Sequence, residues 1–197
     1  MTSTNKVKTN TFYGVWLIVA SLLGLLAAFS LTLEKINALT HPKTGALCDF
    51  SAVVQCSANL ASNQGAILGF PNPLIGLMTW PFVLLTGVLV LSRIKLPKFY
   101  WAVFLLGVTG ALSFVIWLIS QSVFVIGTLC LWCMLTWFSV ITVFLATLAH
   151  SGSEGVFGDK LSSFFQKSKS YIIAASILIV FAVALVAQLR LDWVATL

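Results

Sequence analysis

Four stretches of this chain carry no Asp, Glu, Lys or Arg, and their lengths dictate what the backbone must do. They run Phe12–Leu33 (22 residues), Leu74–Ser92 (19), Phe99–Ser153 (55) and Tyr171–Leu189 (19). A helix needs about 20 apolar residues to cross the roughly 30 Å hydrocarbon core of a bilayer. Inside that core the backbone must satisfy its own hydrogen bonds, which a helix does. The first, second and fourth stretches each hold one such helix. The third is long enough for two, with a tight turn expected near Gln121-Ser122. With 59% hydrophobic and 8% charged residues, an ordinary soluble globule is excluded. The expected fold class is an all-α integral membrane protein with five spans.

Lys6 and Lys8 precede the first stretch and Ala27-Ala28-Phe29-Ser30 closes it, a pattern that resembles a secretory signal. Its apolar core exceeds the roughly 7–15 residues of a signal h-region, so an uncleaved first helix is expected. Orientation follows the cations. With the N-terminus inside, Lys6, Lys8, Arg93, Lys95, Lys98, Lys160, Lys167 and Lys169 fall on the inner side, against Lys35, Lys43 and Arg190 outside. The bias predicts a multi-pass plasma-membrane protein, N-terminus cytoplasmic and C-terminus outside. It also accounts for the net charge of +6 through topology and anionic lipid. No interleaved basic and aromatic platform for a nucleic acid is present.

The four cysteines form two pairs. Cys48 and Cys56 lie in Glu34–Asn72, a segment too long for a plain connector. Phe50–Ala61 within it suits a short surface helix, and Asn63, Gly65, Gly69, Pro71 and Pro73 stop any continuation. A cap over the helix bundle fits. Cys130 and Cys133 form a C-x-x-C just below the expected outer turn, so both pairs face the oxidising side, where disulfides persist. Three apart in a helix, Cys130 and Cys133 share one face. Gly127-Thr128 before them marks a helix start whose free N–H groups favour a thiolate at Cys130. A mobile outer pair and an embedded pair suit a relay by thiol–disulfide exchange, with a lipid-soluble quinone as the two-electron, two-proton acceptor. Two structural disulfides, isolated buried cysteines and a zinc site are the plainer readings. Covalent haem attachment needs a His after the second cysteine, and Met134 stands there. A transporter or channel would need charged residues inside the spans, and the sequence has none.

Leu47-Cys48-Asp49, Val54-Gln55-Cys56-Ser57, Ser62, Asn72-Pro73-Leu74-Ile75-Gly76 and Cys130-Leu131-Trp132-Cys133, in that order, resemble the vitamin K epoxide reductase family over roughly residues 12–149. The order separates the chain from the bacterial quinone-linked oxidases that carry their C-x-x-C first. The resemblance implies a four-helix catalytic core over 1–149 with its outer loop at 34–72, an inner loop over 150–170, and a fifth transmembrane helix with a short outer tail over 171–197. It also implies a thiol–quinone oxidoreductase that promotes disulfide formation in exported proteins. Cys56 would exchange with a thioredoxin-like (DsbA-like) partner, Cys48 would carry electrons to Cys130, and Cys133 would reduce the quinone, of menaquinone, ubiquinone or vitamin K type. Asn72 matches the asparagine that hydrogen-bonds a quinone carbonyl, although flanking prolines also suit a turn. Ser57 and Ser62 match loop serines. Trp137 departs from the family, whose animal members place a tyrosine there. An indole N–H could donate to the quinone instead, or the ring could simply pack. Because some bacterial relatives continue into a thioredoxin-like domain and this sequence stops at Leu197, a separate partner is expected on the outer side. The alternatives are a scaffold with permanent disulfides, and a vitamin K epoxide reductase working with the opposite electron flow.

Overall fold

The computed structural model describes residues 11–41, 45–158, 162–163 and 169–192. Lys6, Lys8, Lys43, Lys160, Lys167, residues 159–161 and 164–168 of the expected inner loop, and the residues after Asp192 lie outside the described residues.

Helix α1 runs Thr11–Thr40, continuing past Leu33 through Glu34 and Lys35. At 1.5 Å per residue its 30 residues measure about 45 Å, so its last turns stand clear of a 30 Å hydrocarbon layer. The cap follows, with a five-residue helix α2 (Ser57–Ala61) and a 3-10 turn (Asn63–Ala66) in which Ser62 Oγ accepts the Gly65 N–H. Helix α3 (Pro73–Leu91) begins with proline at its first position, where no N–H is needed. Helix α4 (Lys98–Ser120) continues through a π-helical segment, Gln121–Ile126, and the chain reverses at Gly127, whose φ is +75°. The turn expected at Gln121-Ser122 is therefore displaced by about one turn of helix. The two polar side chains sit on helix, and glycine supplies the left-handed backbone that the reversal requires. Helix α5 spans Leu131–Ser153 and α6 spans Lys169–Leu191. Among the described residues, five helices are long and apolar enough to cross a membrane, so the chain is a multi-pass membrane protein.

Helices α3 and α5 both pack along α1, α4 packs on α5, and α6 lies against the far side of α5. Contact between α1 and α3 is close because small residues meet large ones: a Cβ added to Gly24 would lie 2.0 Å from the Trp80 ring. Around the bundle the order is thus α3, α1, α5, α4, while the backbones of α3 and α4 stay apart and the helices meet through the Thr86 and Tyr100 hydroxyls, 2.7 Å from each other. Sequence neighbours leave a slit between them. Many large apolar side chains on the perimeter are exposed, including Phe82, Phe99, Leu106 and Phe181, as a lipid-facing surface requires.

Candidate active site

The cap is held to the bundle by the backbone. Val54 and Leu129 form an isolated parallel bridge, with Gln55 N–H donating to Leu129 C=O and Leu129 N–H to Val53 C=O, both at 2.8 Å. Asn59 adds a bond from Nδ2 to Thr128 Oγ1 at 2.9 Å. The bridge lies two residues before Cys56 and one before Cys130, and it brings the two cysteines together. Cys130 Sγ stands 3.3 Å from Cys56 Sγ, although 74 residues separate them.

Cys48 and Cys56 are joined as a disulfide, and Cys130 and Cys133 are free thiols. Cys48, Cys56 and Cys130 are all buried, in one apolar cluster with Leu31 and Leu60. The sulfur hydrogen-bonded to Cys130 belongs to Cys56, whereas the resemblance implied that Cys48 would carry electrons to Cys130. Cys130 is the N-cap of α5, its backbone extended (φ −109°, ψ 123°), and its Sγ accepts the N–H of Cys133 at 3.3 Å. This bond uses one of the N–H groups that the start of α5 leaves without a helical partner.

A carboxylate missed at the sequence level organises the cap. Asp49 Oδ1 accepts the N–H groups of Cys56 (2.8 Å) and Ser57 (3.0 Å), while Oδ2 accepts the Ser57 hydroxyl and the Ala46 N–H. Partial burial opposes ionisation of Asp49. The Ser57 hydroxyl and the amides of Ser57, Cys56 and Ala46 outweigh it and hold the carboxyl below its usual range. Its partners lie three residues before it and seven and eight after it, so no local turn-capping pattern marks it in the sequence. Two further ties fix the cap to the end of α1. Leu47 N–H donates to Glu34 Oε1 at 3.1 Å, and Lys35 Nζ donates to Leu60 C=O at 2.6 Å.

Below the cap, between α3 and α4, lies a cavity of about 810 Å³ whose wall is overwhelmingly apolar. Its size falls within the usual range for sites that take small organic ligands. Asn72, Gln64 and Gln121 line its cap end, Trp80 and Trp137 line its sides, and Cys133 also faces it. Cys130 does not line it, so the two thiols serve different surroundings. Gly107 and Gly110 of α4 also line the cavity, and no atom lies within 4 Å of where their Cβ atoms would be.

Asn72 lines the cavity, but its side chain is mostly spent on the cap: Nδ2 donates to Gln64 C=O at 2.6 Å and Oδ1 accepts the Ile67 N–H at 3.2 Å. One amide hydrogen remains for a ligand. Trp137 is buried in the core, between the cavity and the residues of α6 that back α5. Ser57 serves the Asp49 bracket, and Ser62 both caps the 3-10 turn and donates to Asn59 C=O at 2.7 Å.

Residues 15–148, which hold both cysteine pairs and the cavity, match the model of the Vitamin K epoxide reductase family. The chain belongs to the vitamin K epoxide reductase family. No curated protein matches it. Members of the vitamin K epoxide reductase family are oxidoreductases, and the membership points to disulfide redox chemistry at a membrane. In this member, a loop disulfide touches one thiol of a C-x-x-C whose other thiol faces an apolar cavity.

Proposed function

We propose that the chain oxidises a thioredoxin-like partner and passes the electrons through its two cysteine pairs to a quinone. The observation that carries this reading is the division of the C-x-x-C, with Cys130 Sγ at 3.3 Å from Cys56 Sγ and Cys133 on the cavity wall. The cap end then faces the outer, oxidising side. Arg93, Lys95 and Lys98 cluster at the opposite end, as cytoplasmic cations do.

Electrons enter at the loop pair. A partner thiolate attacks Cys48, the Cys48–Cys56 bond breaks, and the electron pair is left on Cys56. Cys56 then attacks Cys130 of an oxidised C-x-x-C, and the Cys130–Cys133 bond breaks with the pair on Cys133. The second thiolate of the partner attacks its own bond to Cys48, so the partner leaves as a disulfide and Cys48 is freed. Cys48 then attacks Cys56, and the Cys56–Cys130 bond breaks with the pair on Cys130. The loop disulfide is restored with Cys130 and Cys133 as thiols, the state seen here. A quinone accepts the two electrons and two protons that this dithiol releases. The apolar cavity, the spare amide hydrogen of Asn72 and the indole of Trp137 suit such a ring, and the slit between α3 and α4 suits entry from lipid.

The test uses purified chain in lipid nanodiscs with a soluble dithiol and a short-tailed quinone. Cys133→Ala should abolish quinone reduction while still allowing a Cys56–Cys130 disulfide to be trapped. Cys56→Ala should abolish oxidation of the dithiol partner. Full activity in either variant sinks the proposal.

A further inference from the structure

Asp49 is a charged group that the relay as written does not use, yet it sits on the backbone of the sulfur that the relay turns on. Its Oδ1 takes the N–H groups of both Cys56 and Ser57, at 2.8 and 3.0 Å. Those amides are the donors best placed to stabilise a negative sulfur at Cys56. A thiolate at the buried Cys56 would meet donors already occupied by the negative charge of Asp49, which itself sits at the exposed edge of the cap. Cys48 is treated differently. The neighbouring acid on its side, Glu34, bonds the N–H of Leu47 rather than that of Cys48 itself, and Lys35 sits beside Glu34 with its ammonium on Leu60 C=O.

We propose that Asp49 is a positioning residue that makes Cys56 the poorer thiolate of the loop pair, so that this sulfur is held in a bond to Cys48 or to Cys130 instead of standing free. This deepens the relay reading and rests on it. The electron pair left on Cys56 when the partner takes Cys48 is short-lived, because a less acidic thiol gives a more nucleophilic thiolate. It attacks Cys130 at once: the Cys56–Cys130 bond forms as Cys130–Cys133 breaks, and the pair moves to Cys133. The cap is thereby spared a parked, fully reduced state that the partner's oxidised form could draw electrons from.

The experiment uses the full chain in nanodiscs with Cys130 and Cys133 replaced by serine and the loop pair reduced. The rate of iodoacetamide alkylation at Cys48 and Cys56 is followed separately by peptide mass spectrometry as a function of pH. Burial slows both reactions and raises both midpoints, so the effect of Asp49 is read from the change between the parent and the Asp49 variants. Cys56 should titrate above Cys48. In Asp49→Asn the Cys56 midpoint should fall by about one pH unit, roughly a tenfold rise in thiolate fraction at neutral pH, while Cys48 moves much less. Asp49→Glu, which keeps the charge, should stay near the parent. A purely structural role for Asp49 would change both alkylation rates without moving either midpoint, and that result overturns the proposal. So does a parent chain in which Cys56 titrates at or below Cys48, which keeps the test decisive should Asp49→Asn fail to fold. No quinone or partner enters this measurement, so its outcome is separable from that of the Cys133→Ala assay.

Discussion

The 3.3 Å approach of Cys130 to Cys56 rests on one backbone bridge, which a single substitution can weaken without touching a cysteine. Gln55→Pro removes the N–H that donates to Leu129 C=O at 2.8 Å and leaves the Leu129 N–H to Val53 bond in place. Proline also biases the residue before it toward extended backbone, which Val54 already adopts in the bridge. Leu129 is fully buried, so its carbonyl loses its partner with no water to replace it. An unsatisfied buried acceptor costs about 1–3 kcal/mol. If that cost falls on the docked state alone, the ratio of docked to undocked chains falls by roughly 5- to 150-fold, at about 1.4 kcal/mol per decade. The assay is the rate at which the Cys56–Cys130 disulfide forms in a fully reduced chain carrying Cys48→Ser and Cys133→Ser after a brief pulse of oxidant, read by gel shift and peptide mapping. Gln55→Ala is the control. It keeps the N–H and loses only the side-chain bond from Nε2 to Ala52 C=O at 2.8 Å, which is exposed, so its rate should stay within about twofold of the parent. Equal rates for the proline and alanine variants, both folded, would refute the view that the bridge positions the thiols.

Two further outcomes follow from packing and from Asp49. Gly24→Ala sets a methyl group 2.0 Å from the buried Trp80 ring. An overpacking cost of about 1–3 kcal/mol should lower the melting midpoint in detergent by roughly 2–12 °C, and an unchanged midpoint would show that α1 and α3 are not packed as described. Because the Asp49 carboxyl is held below its ordinary 3.8 by the Ser57 hydroxyl and three amides, against the opposing effect of burial, its contribution to cap stability is fully present above that value. It is lost as the pH falls through the depressed folded-state value. Protease sensitivity of the cap should therefore be flat from neutral pH down to about 4 and rise below it, and Asp49→Asn should remove that acid-dependent rise.

The spans were legible because charge is what a bilayer refuses, and the charge-free stretches align with five long helices. The second reversal was misplaced for a physical reason. Gln121 and Ser122 are polar enough to suggest a turn, yet a π-helical segment carries them on, and Ser122 Oγ donates to Thr128 C=O inside the reversal. Gly127 was the better signal. That α3 and α4 stand apart was not legible, because hydropathy says which residues face lipid or core and nothing about which helices touch. Which loop sulfur lies beside Cys130 was also hidden. The bridge between residues 54 and 129 brings Cys56 there, and a pairing of two backbones that far apart leaves no trace in side-chain chemistry.

The separation of the two helix thiols comes from where α5 begins. In an uninterrupted helix, residues three apart lie on one face, and Cys130 and Cys133 would both look into the cavity or both look away. Gly127 ends the preceding π-helical segment, and Cys130 is left as an N-cap in extended backbone, outside the helical rows. Its sulfur turns to the cap and Cys56, while Cys133, within the first turn, turns to the cavity wall. The two stay coupled, since the Cys133 N–H still reaches Cys130 Sγ at 3.3 Å. A start one residue earlier would bring Cys130 into the helix and take this N-cap geometry away. What a C-x-x-C needs here is therefore a reversal placed immediately before it: a sharp turn at the mouth of a membrane helix makes two neighbouring thiols face two different surroundings.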